Sequence, residues 1–165
     1  MVDMQAYVGI TKHMGGLPAT RTLLSLCHAR DAREILEVGC GIGVGPVHAA
    51  RTYDCRVVGV DISERMIEWS RRRAREERVQ DRIEFRVADV LALPFESDRF
   101  DVTLCESVLA FIADKERAIS ELVMTHRVDP GLEVRSRMRW IGLRWLVTGS
   151  SELSAALYPP PPLTG

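Results

Sequence analysis

The segment "ILEVGCGIGVG" (residues 35–45) places four glycines within seven positions, directly after a short apolar run. "EILEV" (34–38) predicts a buried strand and "PVHAARTY" (46–53) predicts a helix, so the glycines fall at a strand-to-helix turn. Glycine adopts backbone angles closed to other residues, and without a side chain it lets a ligand lie against the main chain. Because the first N–H groups of a helix suit an anion, the segment predicts a ligand site with a carboxylate or phosphate.

The rest of the chain alternates between short β-rich runs and amphipathic stretches. Helices are predicted at 17–29, 64–79 and 114–126, and strands at 56–61, 82–89 and 100–106. Ser63 and Asp114 precede two of the helices and are suited to cap them. Strands that alternate with helices at this spacing predict an α/β fold, a Rossmann-like and mostly parallel sheet with helices on both faces.

Composition narrows the function classes. The chain has 165 residues, 46% of them hydrophobic and 27% charged, which is enough for one core and favours a single soluble domain. A net charge of −1 gives no global attraction to nucleic acid or to acidic membranes. No run resembles a signal peptide or a membrane span, so we expect a cytoplasmic protein. The four cysteines are widely spaced, which predicts buried, reduced thiols and no zinc site.

The glycine spacing decides between nucleotide sites. A dinucleotide fingerprint G-x-G-x-x-G is absent because Val44 stands three residues after Gly41, and no G-K-[ST] follows. The pattern is E-x-G-x-G-x-G, with an acid near the end of each of three strands: Glu37, Asp61 and Asp89. Since ligands bind at the carboxyl ends of parallel strands, these acids predict a site for a nucleoside that carries a positive charge.

With these motifs, the chain resembles the class I S-adenosylmethionine-dependent methyltransferases. "ILEVGCGIGVG", "VVGVDIS", "RIEFRVADVLALPFESDRFDVTLCESVLAFI" and "DKERAISELV" carry the resemblance over residues 33–124. It implies S-adenosyl-L-methionine as cofactor and in-line methyl transfer to a small-molecule acceptor, with no metal and no assigned catalytic residue. It implies the methionine moiety at Glu37, Gly39, Gly41 and Gly43, the ribose at Asp61, the adenine at Ile62, Asp89 and Val90, the reactive sulfonium at Glu106 and Ser107, and Cys40 as a further cofactor-binding residue.

Structural interpretations stay open beside this one. The glycines can serve only a tight turn, Asp61 and Asp89 can be helix-entry and turn residues, and Glu106 can cap the following helix. Tyr7 and His13 are candidates to contact substrate, although a packing tyrosine and a surface histidine are ordinary alternatives. The run "RRRAREER" (71–78) is mixed with acids and favours a solvated helix face over a nucleic-acid site.

The carboxyl-terminal part departs from the resembled family after residue 131. Only 34 residues follow, so we expect a sheet without the last antiparallel strands, and we expect "EVRSRMRWIGLRWLV" (133–147) to be one strand or an amphipathic helix. The predicted domain covers 1–148, with 1–32 as an amino-terminal lid, and 149–165 is expected to be a disordered tail. An unprotected sheet edge would favour a homo-oligomer. A truncated cofactor-binding domain with little turnover is the alternative function, and a nicotinamide dehydrogenase is a distant third.

Overall fold

The computed structural model describes residues 16–127, 138–141 and 144–147. Its helices are α1 (Gly16–Leu26), α2 (Val44–Thr52), α3 (Glu64–Glu76) and α4 (Lys115–Thr125). Its strands are β1 (Glu34–Val38), β2 (Arg56–Asp61), β3 (Ile83–Val87), β4 (Val102–Glu106), β5 (Met138–Ile141) and β6 (Arg144–Val147). Short 3₁₀ turns cover Gln80–Arg82 and Leu109–Phe111. The predicted domain limits at 1–148 are not tested by these ranges, and the tail at 149–165 lies outside them.

The strands form one sheet in the order β3-β2-β1-β4-β6-β5. The first four strands of this order are parallel, with Leu36 of β1 paired to Val58 of β2 and to Thr103 of β4. The predicted Rossmann-like, mostly parallel sheet is confirmed. Because β1 lies between β2 and β4, the order of the strands reverses there, which is where such sheets bind ligands.

Side chains on the two faces of the sheet form separate apolar clusters. Ile35 and Val57 pack with Leu23 of α1 and Ile67 of α3, whereas Leu36 packs on the other side of β1. The second cluster includes Phe100 and Leu109 as well as Ala118 and Leu122 of α4. Alternate residues of a strand point to opposite faces, so the predicted covering of both faces by helices is confirmed.

Local signals set the ends of the helices. The Ser63 hydroxyl accepts a hydrogen bond from the Met66 N–H at 3.4 Å, and the Asp114 carboxylate accepts one from the Arg117 N–H at 3.0 Å. Both predicted caps are therefore present. Pro46 lies in the first turn of α2, where its missing N–H leaves no hydrogen bond unmade.

The strands beyond residue 137 correct an expectation. We expected the last antiparallel strands to be missing and 133–147 to form one strand or one helix, but the structure contains two short strands, β5 and β6. Strand β6 runs antiparallel to β4, with Thr103 opposite Val147, and β5 pairs antiparallel with β6. The physical reason is that β6 satisfies the backbone groups that an edge position would leave unpaired on β4. An oligomer through a sheet edge stays a prediction.

The four cysteines, Cys27, Cys40, Cys55 and Cys105, are free thiols and buried, as predicted. Within the 71–78 run, Arg71, Arg72 and Arg75 are exposed on α3, outside its buried stripe of Met66, Ile67, Ser70 and Ala74. Within the described ranges, no helix combines the length and the apolar character that a membrane span requires.

Candidate cofactor site

A cavity of about 320 Å³ lies at the carboxyl ends of the parallel strands. Of the ten cofactor-binding residues predicted from the sequence, nine line it: Glu37, Gly39, Cys40, Gly41, Asp61, Ile62, Asp89, Val90 and Glu106. They come from the ends of β1, β2 and β4 and from the segment after β3. The fold therefore brings residues that are up to about 70 positions apart in sequence, from Glu37 to Glu106, onto one wall.

The tenth residue, Gly43, has a different task. It precedes α2 with a φ of 77°, and a β-carbon there would come within 3.0 Å of Ser70 on α3. Gly43 does not line the cavity. Its missing side chain instead allows α2 and α3 to approach each other. Gly43 as a cofactor-binding residue therefore stays a prediction, although it does not line this cavity.

Gly39 fits the role that the sequence predicts. Its φ is 74°, in the left-handed region, and a β-carbon there would lie 2.0 Å from the Cγ2 atom of Val108. Backbone hydrogen bonds from the N–H groups of Gly39 and Cys40 to the Val60 carbonyl, at 2.8 and 2.9 Å, hold the loop against the end of β2. Since a larger residue would displace Val108, the turn requires glycine at this position.

Asp61 joins the glycine loop to the start of α3. Its carboxylate oxygens accept hydrogen bonds from the N–H of Gly41 and the N–H of Ser63, each at 2.9 Å. The Ser70 hydroxyl also donates to the Gly41 carbonyl, at 2.7 Å. Asp61 thus has the helix-entry role that the sequence left open, and it also holds the glycine loop through Gly41, which the sequence did not indicate. Its carboxylate keeps further lone pairs for a ligand.

Two acids lie at the inner part of the cavity wall. Glu37 is 8% exposed and Glu106 is 9% exposed. The Oε2 atom of Glu37 lies 2.3 Å from where a β-carbon on Gly45 would be, so this carboxylate packs on the first turn of α2. The sequence predicted an anionic ligand group at this helix start, and the structure places the carboxylate of the chain's own Glu37 there. Burial, and secondly the nearby Glu106, raise the pKa of Glu37 well above its usual range.

Apolar side chains surround the outer part of the cavity. Ile62, which the sequence predicted, is 69% exposed, and Phe111, which it did not predict, is 86% exposed. Further lining residues missed by the sequence analysis include Val44, Gly45, Met66, Ala88, Val108 and Ile112. The sequence signal for Phe111 was the apolar run "SVLAFI" after β4. Because apolar runs more often mark core segments, this run did not identify Phe111 as a cavity residue.

The segment after β4 contains an unusual backbone. Ser107 lines the cavity and adopts a φ of 61°, a left-handed conformation that non-glycine residues seldom take. The resemblance implied Glu106 and Ser107 at the reactive sulfonium, and both residues line the cavity. Tyr7 and His13, the candidate substrate contacts, lie outside the described residues.

The wall has a one-sided charge. Four carboxylate side chains line it, and among the described residues no lysine, arginine or histidine does so. Within the described part of the chain, no group of three or more histidine, cysteine, aspartate or glutamate residues is arranged to hold a metal ion. The arrangement suits a ligand with a positive charge and with hydroxyl or amine donors for the carboxylates.

Comparison with known families agrees with this geometry. A family model described as a methyltransferase domain matches residues 35–128, which is more than half of the chain. The chain belongs to the class I S-adenosylmethionine-dependent methyltransferases. The cofactor of this methyltransferase is accordingly S-adenosyl-L-methionine.

Three relatives illustrate the relationship. The methyltransferase is 31% identical to ajmaline N-methyltransferase of Rauvolfia serpentina over 125 residues, and 33% identical to phosphoethanolamine N-methyltransferase of Triticum aestivum over 101 residues. These matches cover 70% and 61% of this chain, but only 43% and 20% of the two relatives. The solved structure of geranyl diphosphate methyltransferase in complex with S-adenosylmethionine superposes with a TM-score of 0.61 at 28% identity, covering 67% of this chain and 45% of that one. The methyltransferase thus spans less than half the length of these relatives.

Proposed function

We propose that this chain transfers a methyl group from S-adenosyl-L-methionine to a small-molecule acceptor by in-line displacement. The observation that carries the proposal is the convergence of nine predicted cofactor residues on one cavity at the point where the strand order reverses. A volume of about 320 Å³ lies at the lower end of the range for small-molecule sites. The acid-lined wall suits the positive charge of the sulfonium.

The cavity wall suggests how the cofactor is held. Glu37 and the loop at Gly39 and Gly41 would bind the methionine moiety, and Asp61 would accept hydrogen bonds from the ribose hydroxyls. Ile62 would pack on the adenine ring, with Asp89 and Val90 at its polar edge. The family resemblance would place the sulfonium beside Glu106 and Ser107, which line the same cavity.

When bound, S-adenosyl-L-methionine supplies a methyl group on an activated sulfonium leaving group. The protein residues then have to orient the acceptor and to keep water out of the cavity. The apolar side chains of Val108, Phe111 and Ile112 are placed to do so at the outer part of the wall. A general base is needed only where the acceptor atom carries a proton of high pKa, so none is assigned.

Small molecules are the acceptor class that the relatives support. The names of two relatives specify methylation of the alkaloid ajmaline and of phosphoethanolamine. The net charge of −1 gives no support for a nucleic-acid substrate. The cytoplasm stays the predicted compartment, and association through a sheet edge stays the predicted form of an oligomer.

Titration of the full chain with S-adenosylmethionine, S-adenosylhomocysteine and NAD in a calorimeter tests the proposed cofactor. We expect the first two ligands to bind and NAD not to bind. Transfer of a radiolabelled methyl group to a panel of small acceptors then tests catalysis. Cofactor binding without transfer to any acceptor would favour the alternative of a binding domain with little turnover, and failure to bind S-adenosylmethionine would refute the proposal.

A further inference from the structure

Strand β3 is the last strand on one side of the sheet, and within the described part of the chain no strand pairs with its outer side. Its sequence, "IEFRV" (83–87), contains neither the proline nor the glycine that would interrupt pairing. A strand in this position presents a row of N–H and C=O groups to which another chain can add a strand. The outer side of β3 is therefore a candidate interaction surface.

The hydrogen bonds around β3 show which of its residues face outward. The Ala88 N–H donates to the Asp61 carbonyl at 3.0 Å, so the even-numbered residues direct their backbone groups toward β2. Backbone groups alternate between the two sides of a strand, so the odd-numbered residues direct theirs away from β2. These residues are Ile83, Phe85 and Val87.

Arg71 of α3 agrees with this direction. Its guanidinium donates to the Phe85 carbonyl at 2.9 Å from outside the sheet. The carbonyl oxygen has a second lone pair and can accept another hydrogen bond. The backbone of β3 is thus turned outward at its central residue.

A second copy of β3 placed antiparallel, with Phe85 on a two-fold axis, would use all the outward groups. Phe85 would lie opposite Phe85 of the second copy, and Ile83 opposite Val87. Each of these opposed pairs would exchange two N–H···O hydrogen bonds. Val87, which is 50% exposed, would be covered by Ile83 of the second copy.

The same register brings opposite charges together on the other face of the sheet. Glu84 would lie opposite Arg86 of the second copy, and Arg86 opposite Glu84. Both residues are exposed, and they already form an ion pair with each other within one strand, so the four side chains would alternate in sign. A shift of the register by two residues would instead oppose two copies of Glu84 or two copies of Arg86. Opposite charges across a strand pair stabilise it and like charges destabilise it, so the sequence favours the register centred on Phe85.

Helix α3 carries a second self-complementary pattern next to this strand. Glu64, Glu68, Arg71 and Arg75 recur at helical spacing, and all are exposed. They lie on the side of α3 from which Arg71 reaches β3. The two-fold axis would set the two α3 helices antiparallel on the same face of the sheet. The acidic start of each helix would then face the basic end of the other.

The charges of this stripe are poorly matched within one chain. The spacing of four residues puts Glu64 beside Glu68 and Arg71 beside Arg75, and like charges at this spacing destabilise a helix. In the described part of the chain, Glu64, Glu68 and Arg75 take part in no ion pair. A second copy would supply the opposite charges.

We propose that two copies of this chain associate through β3, antiparallel and centred on Phe85, so that one sheet runs through both. The interface is isologous, with the same surface used on each copy. The inference is independent of the proposed methyl transfer, since no residue of β3 lines the cofactor cavity.

Analytical ultracentrifugation of the full chain over an about hundredfold range of concentration tests the association. We expect a reversible equilibrium between monomer and dimer, weakened by added salt because charged pairs contribute to it. Glu84→Arg and Arg86→Glu each place like charges opposite one another at both symmetric positions, and each should weaken the dimer at least about tenfold.

An equimolar mixture of these two variants tests the register. In a mixed dimer each new charge lies opposite one of the other sign, so the mixture should associate about as tightly as the unaltered chain. Repulsion within one strand cannot produce this rescue, because each variant keeps its own like-charged pair.

Glu76→Arg and Arg72→Glu are the matched controls. They make the same charge changes at an exposed ion pair on α3 that lies off the stripe, and they should leave the dimer unchanged. Glu68→Arg and Arg75→Glu repeat the test, alone and mixed, at exposed helix positions that tolerate either residue. Circular dichroism and cofactor affinity verify that each variant is folded.

A chain that stays monomeric at every concentration overturns the proposal. A dimer that is as stable in both Glu84→Arg and Arg86→Glu as in the unaltered chain overturns the assignment to β3. If the mixed variants associate no more tightly than either variant alone, the antiparallel register is overturned.

Discussion

The two edges of the parallel sheet carry similar numbers of acids, but these acids have different neighbours. At the amino-terminal edge, a shallow groove of about 410 Å³ is lined by three arginines and three acids beside Cys55: Arg33, Arg56, Arg82, Glu34, Asp54 and Asp81. Arg82 pairs there with Asp54 at 3.0 Å, and Arg99 pairs with Glu34 at 3.4 Å. At the carboxyl-terminal edge, the described residues place acids on the cavity wall without bases. The acids of the amino-terminal edge thus form ion pairs that support the fold, whereas those of the carboxyl-terminal edge are available to a ligand.

Asp101 and Asp61 show this difference, because the carboxylate of each accepts two backbone hydrogen bonds. At the amino-terminal edge, one carboxylate oxygen of Asp101 accepts hydrogen bonds from the N–H groups of Arg33 and Glu34 at 2.8 and 2.9 Å. Its other oxygen pairs with Arg127. Asp61 also accepts two backbone hydrogen bonds, yet it lines the cavity. The same chemical group is thus used for stability at one edge and is proposed for binding at the other.

Gly39→Ala should give the largest effect, a loss of cofactor binding at the carboxyl-terminal edge. The new β-carbon would lie 2.0 Å from Val108 at a φ of 74°, so the loop or the cavity wall must move. We expect cofactor binding to be lost in calorimetric titration. Gly16→Ala is the control: it also changes a glycine of positive φ, at 52°, but its β-carbon would meet only Pro18, at 3.9 Å. Normal cofactor affinity in Gly39→Ala would contradict the proposed role of the loop.

Asp61→Ala should weaken cofactor binding by about 2 to 3 kcal/mol, or roughly 30- to 150-fold, because it removes charged hydrogen bonds to the ribose and loosens the glycine loop. The dissociation constant for S-adenosylhomocysteine measures the effect. Unchanged affinity would make Asp61 a purely structural residue, like Asp101, and the contrast between the two edges would disappear.

Asp101→Ala should have the opposite profile. It leaves two backbone N–H groups and Arg127 without their shared acceptor, and we expect the free energy of unfolding to fall by about 1 to 3 kcal/mol. Chemical denaturation followed by circular dichroism measures this loss. Affinity for the cofactor should stay at the wild-type value, and a large loss of affinity would show that the two edges are coupled.

Thiol labelling should give the smallest effect. Burial, then the nearby Glu37 and Asp61, raise the pKa of Cys40 well above its usual range, and burial raises the pKa of Cys55 to about 11. Both thiols are therefore almost entirely protonated at pH 8 and should react slowly with a disulfide reagent, faster as the pH rises. Cofactor at ten times its dissociation constant should slow labelling of Cys40 about tenfold, because Cys40 lines the cavity.

Cys55 is the internal control for this experiment, since it lies at the amino-terminal groove. Labelled peptides identified by mass spectrometry separate the two sites. Equal protection of Cys40 and Cys55 would indicate a global change in stability instead of a ligand over the carboxyl-terminal edge.

Local sequence signals were sufficient for most of the elements and for the position of the site. The caps at Ser63 and Asp114 and the buried stripe of α3 follow from residues a few positions apart. The strand-end acids could be placed together because parallel strands end at one edge. The resemblance to a known family then supplied the cofactor, which residue spacing had restricted only to a positively charged nucleoside.

Other features depended on contacts between distant parts of the chain. Gly43 meets Ser70 instead of the cavity, Phe111 lies exposed at the mouth, and β6 pairs with β4. None of these has a local signature: a glycine in a glycine-rich turn looks the same whether a ligand or a helix lies beside it, and an apolar residue after a strand looks like core. The sequence by itself determined the elements, the glycine turn and the acids at the strand ends, because hydrophobic periodicity and capping act over a few residues. Only the tertiary structure decided which acids are neutralised by arginines and which face a cavity, because that depends on side chains far apart in sequence packing at the same edge of the sheet.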